Sequence, residues 1–92
     1  MDVVGHAEFL RCVRTAIRAD GDDRRVDEFL HRLSSEHESA EMREARLEIT
    51  GFGILLWATC ELRLSDGSFR VTWRYEERDG HRAIVCFTLA QV

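Results

Sequence analysis

Residues 64–90 read "LSDGSFRVTWRYEERDGHRAIVCFTLA" and contain Asp-Gly twice. Each Asp-Gly sits between runs in which apolar and polar residues alternate. A period of two marks a half-buried strand, and Asp-Gly between two such runs marks a hairpin turn. The stretch therefore predicts two consecutive hairpins. The turn geometry decides which side chains share a face, because opposed residues of an antiparallel pair point the same way.

For the first hairpin, Leu64 opposite Phe69 brings Leu62–Val71, Cys60–Trp73 and Ala58–Tyr75 onto one face and leaves Asp66-Gly67 as a two-residue turn. The same loop length at Asp79-Gly80 would oppose Tyr75 to Ile84 and Trp73 to Cys86, turning Val85, Phe87 and Leu89 away from that face. A three-residue loop, Arg78-Asp79-Gly80, opposes Tyr75–Ala83, Trp73–Val85, Val71–Phe87 and Phe69–Leu89, with Gly80 at a left-handed bulge position. The bulkier apolar set favours the three-residue loop. The expected outer face is then Leu55, Trp57, Thr59, Glu61 and Arg63; Arg70, Thr72, Arg74 and Glu76; and Arg82, Ile84, Cys86 and Thr88. On it, Arg74 lies between Thr59 and Ile84, and Arg70 beside Arg63 and Thr88.

Upstream of the sheet the period changes to that of helices. Phe9, Leu10, Val13, Ala16 and Ile17 form one stripe, and Val26, Phe29, Leu30 and Leu33 another. "ADGDD" at 19–23 separates them, with Gly21 suited to a helix end and Asp22 or Asp23 to the next N-cap. Ser35 with Glu38 has the form of a capping box, which predicts a short third helix near 36–45. "RLEIT" at 46–50 reads as a strand and "GFG" at 51–53 as a turn or bulge. The expected architecture is α+β in one domain, 1–92. Two or three helices within about 6–45 pack on one face of an antiparallel meander of three to four strands within about 46–90.

Charge is distributed unevenly. The net charge is −4, with 12 acids against 8 arginines in residues 1–50 and five of each in 51–92. That balance disfavours nucleic acid as a partner and favours a basic protein partner, while the arginines of the outer face would suit a carboxylate-bearing one. All 13 basic residues are Arg, a codon-bias signature that points to a bacterium or its phage. Cys12, Cys60 and Cys86 are an odd count without CxxC spacing, as expected of reduced thiols in a cytoplasmic protein. No apolar run approaches membrane-spanning length, and the N-terminus does not have the form of a secretory signal.

Neither phosphate-loop glycines nor a metalloprotease or serine-hydrolase motif is present. His6, His31, His37 and His81 lack metal-ligand spacing. The expectation is a protein with no catalytic, cofactor or metal site. The outer face instead has an interface-like composition, with Trp57, Arg63, Arg70, Arg74, Arg82 and Ile84 as candidate partner contacts. A second candidate is the acidic run, where Glu41, Glu44 and Glu48 would share one face of the third helix.

"LRLSDGSFRVTWRYEE" at 62–77, followed by a final strand, resembles the sheet of small bacterial toxin-immunity proteins. That resemblance implies a non-enzymatic module that occludes a protein partner. Two other readings fit the same surfaces: a phage anti-defence inhibitor of the anti-CRISPR kind, and a homodimeric structural or accessory module pairing through the outer face.

Overall fold

The computed structural model describes residues 1–51 and 53–92, and over 45–50 and 53–56 the backbone alone. In chain order the elements are β1 (Val3–Gly5), α1 (Ala7–Ala16), α2 (Asp22–Glu36), β2 (Glu44–Thr50), β3 (Gly53–Leu64), β4 (Gly67–Arg78) and β5 (His81–Gln91). The sheet runs β1-β5-β4-β3-β2. Its four long strands pair antiparallel, while β1 joins the β5 edge in parallel. The α+β class therefore stands, but the sheet is mixed and not a pure meander.

β1 has no signature in the sequence, because three residues cannot display a period. It is held by backbone bonds on either side of the strand: Ile84 N donates to Asp2 O at 2.9 Å, and His6 N donates to Cys86 O at 2.9 Å. The turn from β1 into α1 is crowded by two side chains of the helix. A Cβ at Gly5 would lie 2.7 Å from Leu10 Cδ2 and 3.1 Å from Phe9 Cδ1. His6 caps α1, its Nδ1 accepting from Glu8 N at 3.4 Å. The stripe is narrower than its spacing suggests. Phe9, Val13 and Ala16 are buried, while Leu10 is 48% exposed.

The helices cover one face of the sheet, α1 over β5 and α2 over β3. Their buried residues join Ala58, Cys60, Leu62, Leu64, Phe69, Val71, Trp73, Ile84, Cys86 and Leu89 in one apolar cluster. Trp73 lies fully buried at its centre. A buried indole N–H needs an acceptor, and Trp73 Nε1 finds Met42 O at 2.8 Å.

This bond accounts for the missing third helix. Residues 37–42 form turns, not a helix, and β2 has begun by Glu44. In a helix the Met42 carbonyl would be committed to a donor four residues on. Here it turns inward to Trp73, and the Met42 side chain is buried beside it. Ser35, expected to cap that helix, lies inside α2 and bonds back to His31 O at 3.1 Å. Thr50 pairs with Gly53 to close the β2–β3 hairpin, as the "GFG" turn predicts, although Phe52 lies outside the described residues.

The two turns do not differ in length as expected: both are two-residue loops, and they differ only in whether Gly closes the loop or follows it. Arg78 pairs with His81, so Asp79-Gly80 is a two-residue loop, with φ of 52° and 78°. Positive φ at both central positions is the type I′ geometry, and glycine takes it without steric cost. The first turn centres on Ser65-Asp66. Leu64 pairs with Gly67, and Gly67 takes φ 130°. This places the β3–β4 register two residues from the expected one, with Leu62 opposite Phe69, Cys60 opposite Val71 and Ala58 opposite Trp73. A shift of two keeps every side chain on its expected face.

Asp22 explains the position of the first turn. Its side chain is inaccessible to solvent and accepts five hydrogen bonds. Ser65 donates its backbone N at 3.0 Å and its Oγ at 2.7 Å; Arg18 N and Ala19 N each donate at 3.1 Å; Arg25 Nη1 donates at 2.9 Å. The carboxylate thus holds Ser65 as the first residue of the turn and fixes the chain that leaves α1 through two of its backbone N–H groups. Gly21, at φ 92°, takes the N-cap position of α2.

The second hairpin keeps the tight loop and changes register further along. Near the turn, Tyr75 opposes Ile84 and Trp73 opposes Cys86. Beyond a bulge, Thr72 opposes Thr88 and Val71 opposes Leu89. Phe87 is the extra residue. Inserting it returns Leu89 to the core face and leaves Phe87 on the other side. Thus both Ile84 and Leu89 are core residues, which no uniform register allows.

Two measurements test this account of the core. Trp73→Ala should cost about 3–5 kcal/mol in urea unfolding, as large buried truncations do. A loss below about 1 kcal/mol would mean the ring is not central. The hydrogen bonds to Asp22, led by the Ser65 hydroxyl, hold its carboxyl well below the usual carboxylate range. A depressed native pKa gives stability that is complete above the unfolded value of about 3.9 and is lost as pH falls from there towards the native one. The stability difference between wild type and Asp22→Asn should therefore shrink between pH 5 and pH 2. A difference constant over that window would show that the charge is not what Ser65 and the α1 end bind.

Candidate functional site

Because α1 and α2 share one side, the opposite face has no helix over it among the described residues. Strand parity places Trp57, Thr59, Glu61 and Arg63 of β3 there. From β4 come Ser68, Arg70, Thr72, Arg74 and Glu76, and from β5 come Ala83, Val85, Phe87, Thr88 and Ala90. His6 approaches from the α1 cap, stacking on Phe87 with ring centroids 5.4 Å apart at 26°.

The bulge sets the centre of this face. Phe87 meets Trp57 edge-on, with centroids 5.1 Å apart at 79°. The Arg74 guanidinium lies against both rings, its Cζ 4.9 Å from the Trp57 centroid and 4.7 Å from that of Phe87. A guanidinium held this way keeps its charge while losing much of its water, the arrangement in which cation–π attraction is strongest. Its carboxylate neighbour is Glu76, with Nη2–Oε1 at 3.8 Å. Arg74 Nε and Trp57 Nε1 are buried without a hydrogen-bond partner among the described residues. Val85 is buried between its cross-strand partners Arg74 and Val4. Around this centre, Thr59 is buried with its Oγ1 donating to Glu44 O at 3.1 Å, and Arg70 is exposed opposite Glu61 and Ala90. Arg63 is exposed and 3.5 Å from Glu61.

Of the predicted contacts, the structure brings Trp57 and Arg74 together and places Arg70 and Arg63 further along the same face. It removes two others. Ile84 is fully buried in the core beneath the helices. Arg82 faces that same side, with its Cζ 4.0 Å over the Tyr75 ring. The physical reason is the tight Asp79-Gly80 loop, which turns the near half of β5 over relative to the three-residue register. Arg74 accordingly opposes Val85, not Ile84. Cys86 also lies in the core, and the side chain of Leu55 lies outside the described residues.

The acidic candidates are not gathered on a helix. Glu41 lies in a turn and makes a two-pronged pair with Arg32, at 3.0 and 2.5 Å, while Glu36 approaches the same arginine at 3.1 Å. The arginine lowers the Glu41 carboxyl through hydrogen bonding and charge together. Glu44 begins β2, and Glu48 lies further along it with its side chain outside the described residues.

His6 and Phe87 were not legible as parts of this surface. His6 is placed by the parallel strand that leads into α1. For Phe87 there was a signal: neither uniform register could bury both Ile84 and Leu89, which is the conflict that a bulge resolves.

Two of the three thiols are withdrawn from nucleophilic chemistry. Burial pushes both Cys60 and Cys86 up to about 12. Cys12, on α1, is half-buried. No group of three or more His, Cys, Asp or Glu side chains is placed to share a metal ion among the described residues, and no described helix is long and apolar enough to cross a membrane. Comparison with protein-family models, with curated proteins and with solved structures finds no match.

A thiol-exchange reagent at pH 8 should modify one cysteine rapidly in the native chain and all three after denaturation. Rapid native modification of two or three would contradict the burial of Cys60 and Cys86.

Proposed function

We propose that this chain is a small, non-enzymatic protein-binding module of bacterial or phage origin, which acts by occluding a protein partner as an immunity protein or inhibitor does. The observation that carries the reading is Arg74, held against Trp57 and Phe87 on the face opposite the helices, with a buried Nε that has no partner among the described residues. Arg beside aromatic rings is the composition of binding hot spots, and a guanidinium fork suits a carboxylate. The partner is therefore one that presents carboxylates to this face. The acidic segment is a weaker docking candidate, because Arg32 already engages Glu36 and Glu41.

Charge reversal on the face tests the reading. Arg70 is exposed, so Arg70→Glu should change stability by no more than about 0.5 kcal/mol while slowing association. Arg74→Glu should abolish association with a partner isolated from the native host. Wild-type affinity in both variants would overturn the proposal. Light scattering of the wild type separates occlusion of a foreign partner from self-pairing: a dimer that Arg74→Glu converts to monomer would establish the homodimeric module in its place.

A further inference from the structure

The β3–β4 ladder stops at Ala58 opposite Trp73. Beyond that pair, β3 continues only alongside β2, and β4 only alongside β5. Where the strands part there is a cavity of about 260 Å³, lined by Arg43, Trp57, Ala58, Trp73, Arg74, Tyr75 and Arg82. Three arginines on one small cavity are unexpected in a chain of net charge −4. Most helical arginines have acid partners, as Arg11, Arg24, Arg25 and Arg32 show. Arg43 and Arg82 form no ion pair among the described residues, and the Arg74 pair with Glu76 is 3.8 Å long.

We propose that this cavity is a binding site for a small ligand carrying a carboxylate or phosphoryl group on an aromatic ring. Three guanidinium groups around one cavity repel one another unless an anion sits between them, and their planar forks match an oxyanion in two-pronged fashion. The other walls fit a flat ring. Trp57 and Tyr75 give it aromatic walls, Tyr75 backed edge-on by the buried Trp73 with centroids 5.1 Å apart and covered on one face by Arg82. Tyr75 is itself held in place by its hydroxyl, 2.7 Å from His37 Nδ1. The volume falls just below the roughly 300–1,000 Å³ of drug-sized ligand pockets, so it suits one ring with its acidic group and little more. The site shares Arg74 and Trp57 with the open face but needs no protein partner.

Both tryptophans of the chain line the cavity, so intrinsic fluorescence reports its occupancy directly. Phenyl phosphate and benzoate, titrated into the full chain, should each give a saturable change. Phenol at the same concentrations should give none, and inorganic phosphate should require at least tenfold more. Arg43→Gln and Arg82→Gln should each weaken phenyl phosphate binding tenfold or more. Both residues are exposed and Arg82 faces the helix side, so the variants keep the fold, checked by near-UV circular dichroism, and leave the docking contacts Arg70 and Arg74 in place. No saturable response to either aromatic anion, or equal affinity in the variants, would overturn the site. Inorganic phosphate binding as tightly as phenyl phosphate would overturn its aromatic part. Loss of protein docking in Arg70→Glu bears on the open face alone.

Discussion

The Asp22 carboxylate ties the helical layer to the sheet. It closes the turn between α1 and α2 by accepting from Arg18 N and Ala19 N, and it reaches across to the first hairpin through Ser65. A buried carboxylate is tolerated only when its oxygens are satisfied, and here two separate backbone segments, a hydroxyl and the Arg25 guanidinium satisfy them. Register follows from this anchor. With Ser65 held as the first residue of its turn, Leu64 must pair with Gly67, and the core residues of β3 and β4 interleave under α2.

The second organising element is the Phe87 bulge. A tight type I′ turn at Asp79-Gly80 and a continuous apolar face along β5 are incompatible in a regular ladder. Inserting one residue satisfies both, with Ile84 and Cys86 facing the helices before the bulge and Leu89 after it. Phe87 is thereby released to the other face, where it completes the stack around Arg74. The same device that repairs the core builds the most distinctive feature of the open face.

The polar chemistry of the molecule is divided between its two ends. At the helical end, arginines are engaged by neighbouring acids, and Arg32 with Glu36 and Glu41 forms a closed group. At the end where β3 and β4 part, Arg43, Arg74 and Arg82 lie among aromatic rings with few acids. Net charge by halves pointed to a basic partner for the helices. The placement of the side chains shifts attention to the arginines, and hence to carboxylate-bearing or phosphoryl-bearing ligands.

The periods of the sequence were sufficient for the two helices, the four long strands and the faces of β3 and β4. Those features depend on local spacing: a stripe at three and four, an alternation at two, and a register error of two residues that leaves the faces unchanged. What spacing could not supply was every feature set by a contact between distant segments. β1 exists because β5 offers it an edge. The third helix is absent because Trp73, buried 31 residues away, takes the Met42 carbonyl. Arg82 and Ile84 exchanged faces with Ala83 and Val85 because turn type and core packing had to be satisfied together, and a bulge was the means. Local sequence determines the direction in which each side chain alternates; only the packed structure decides where that alternation slips by one.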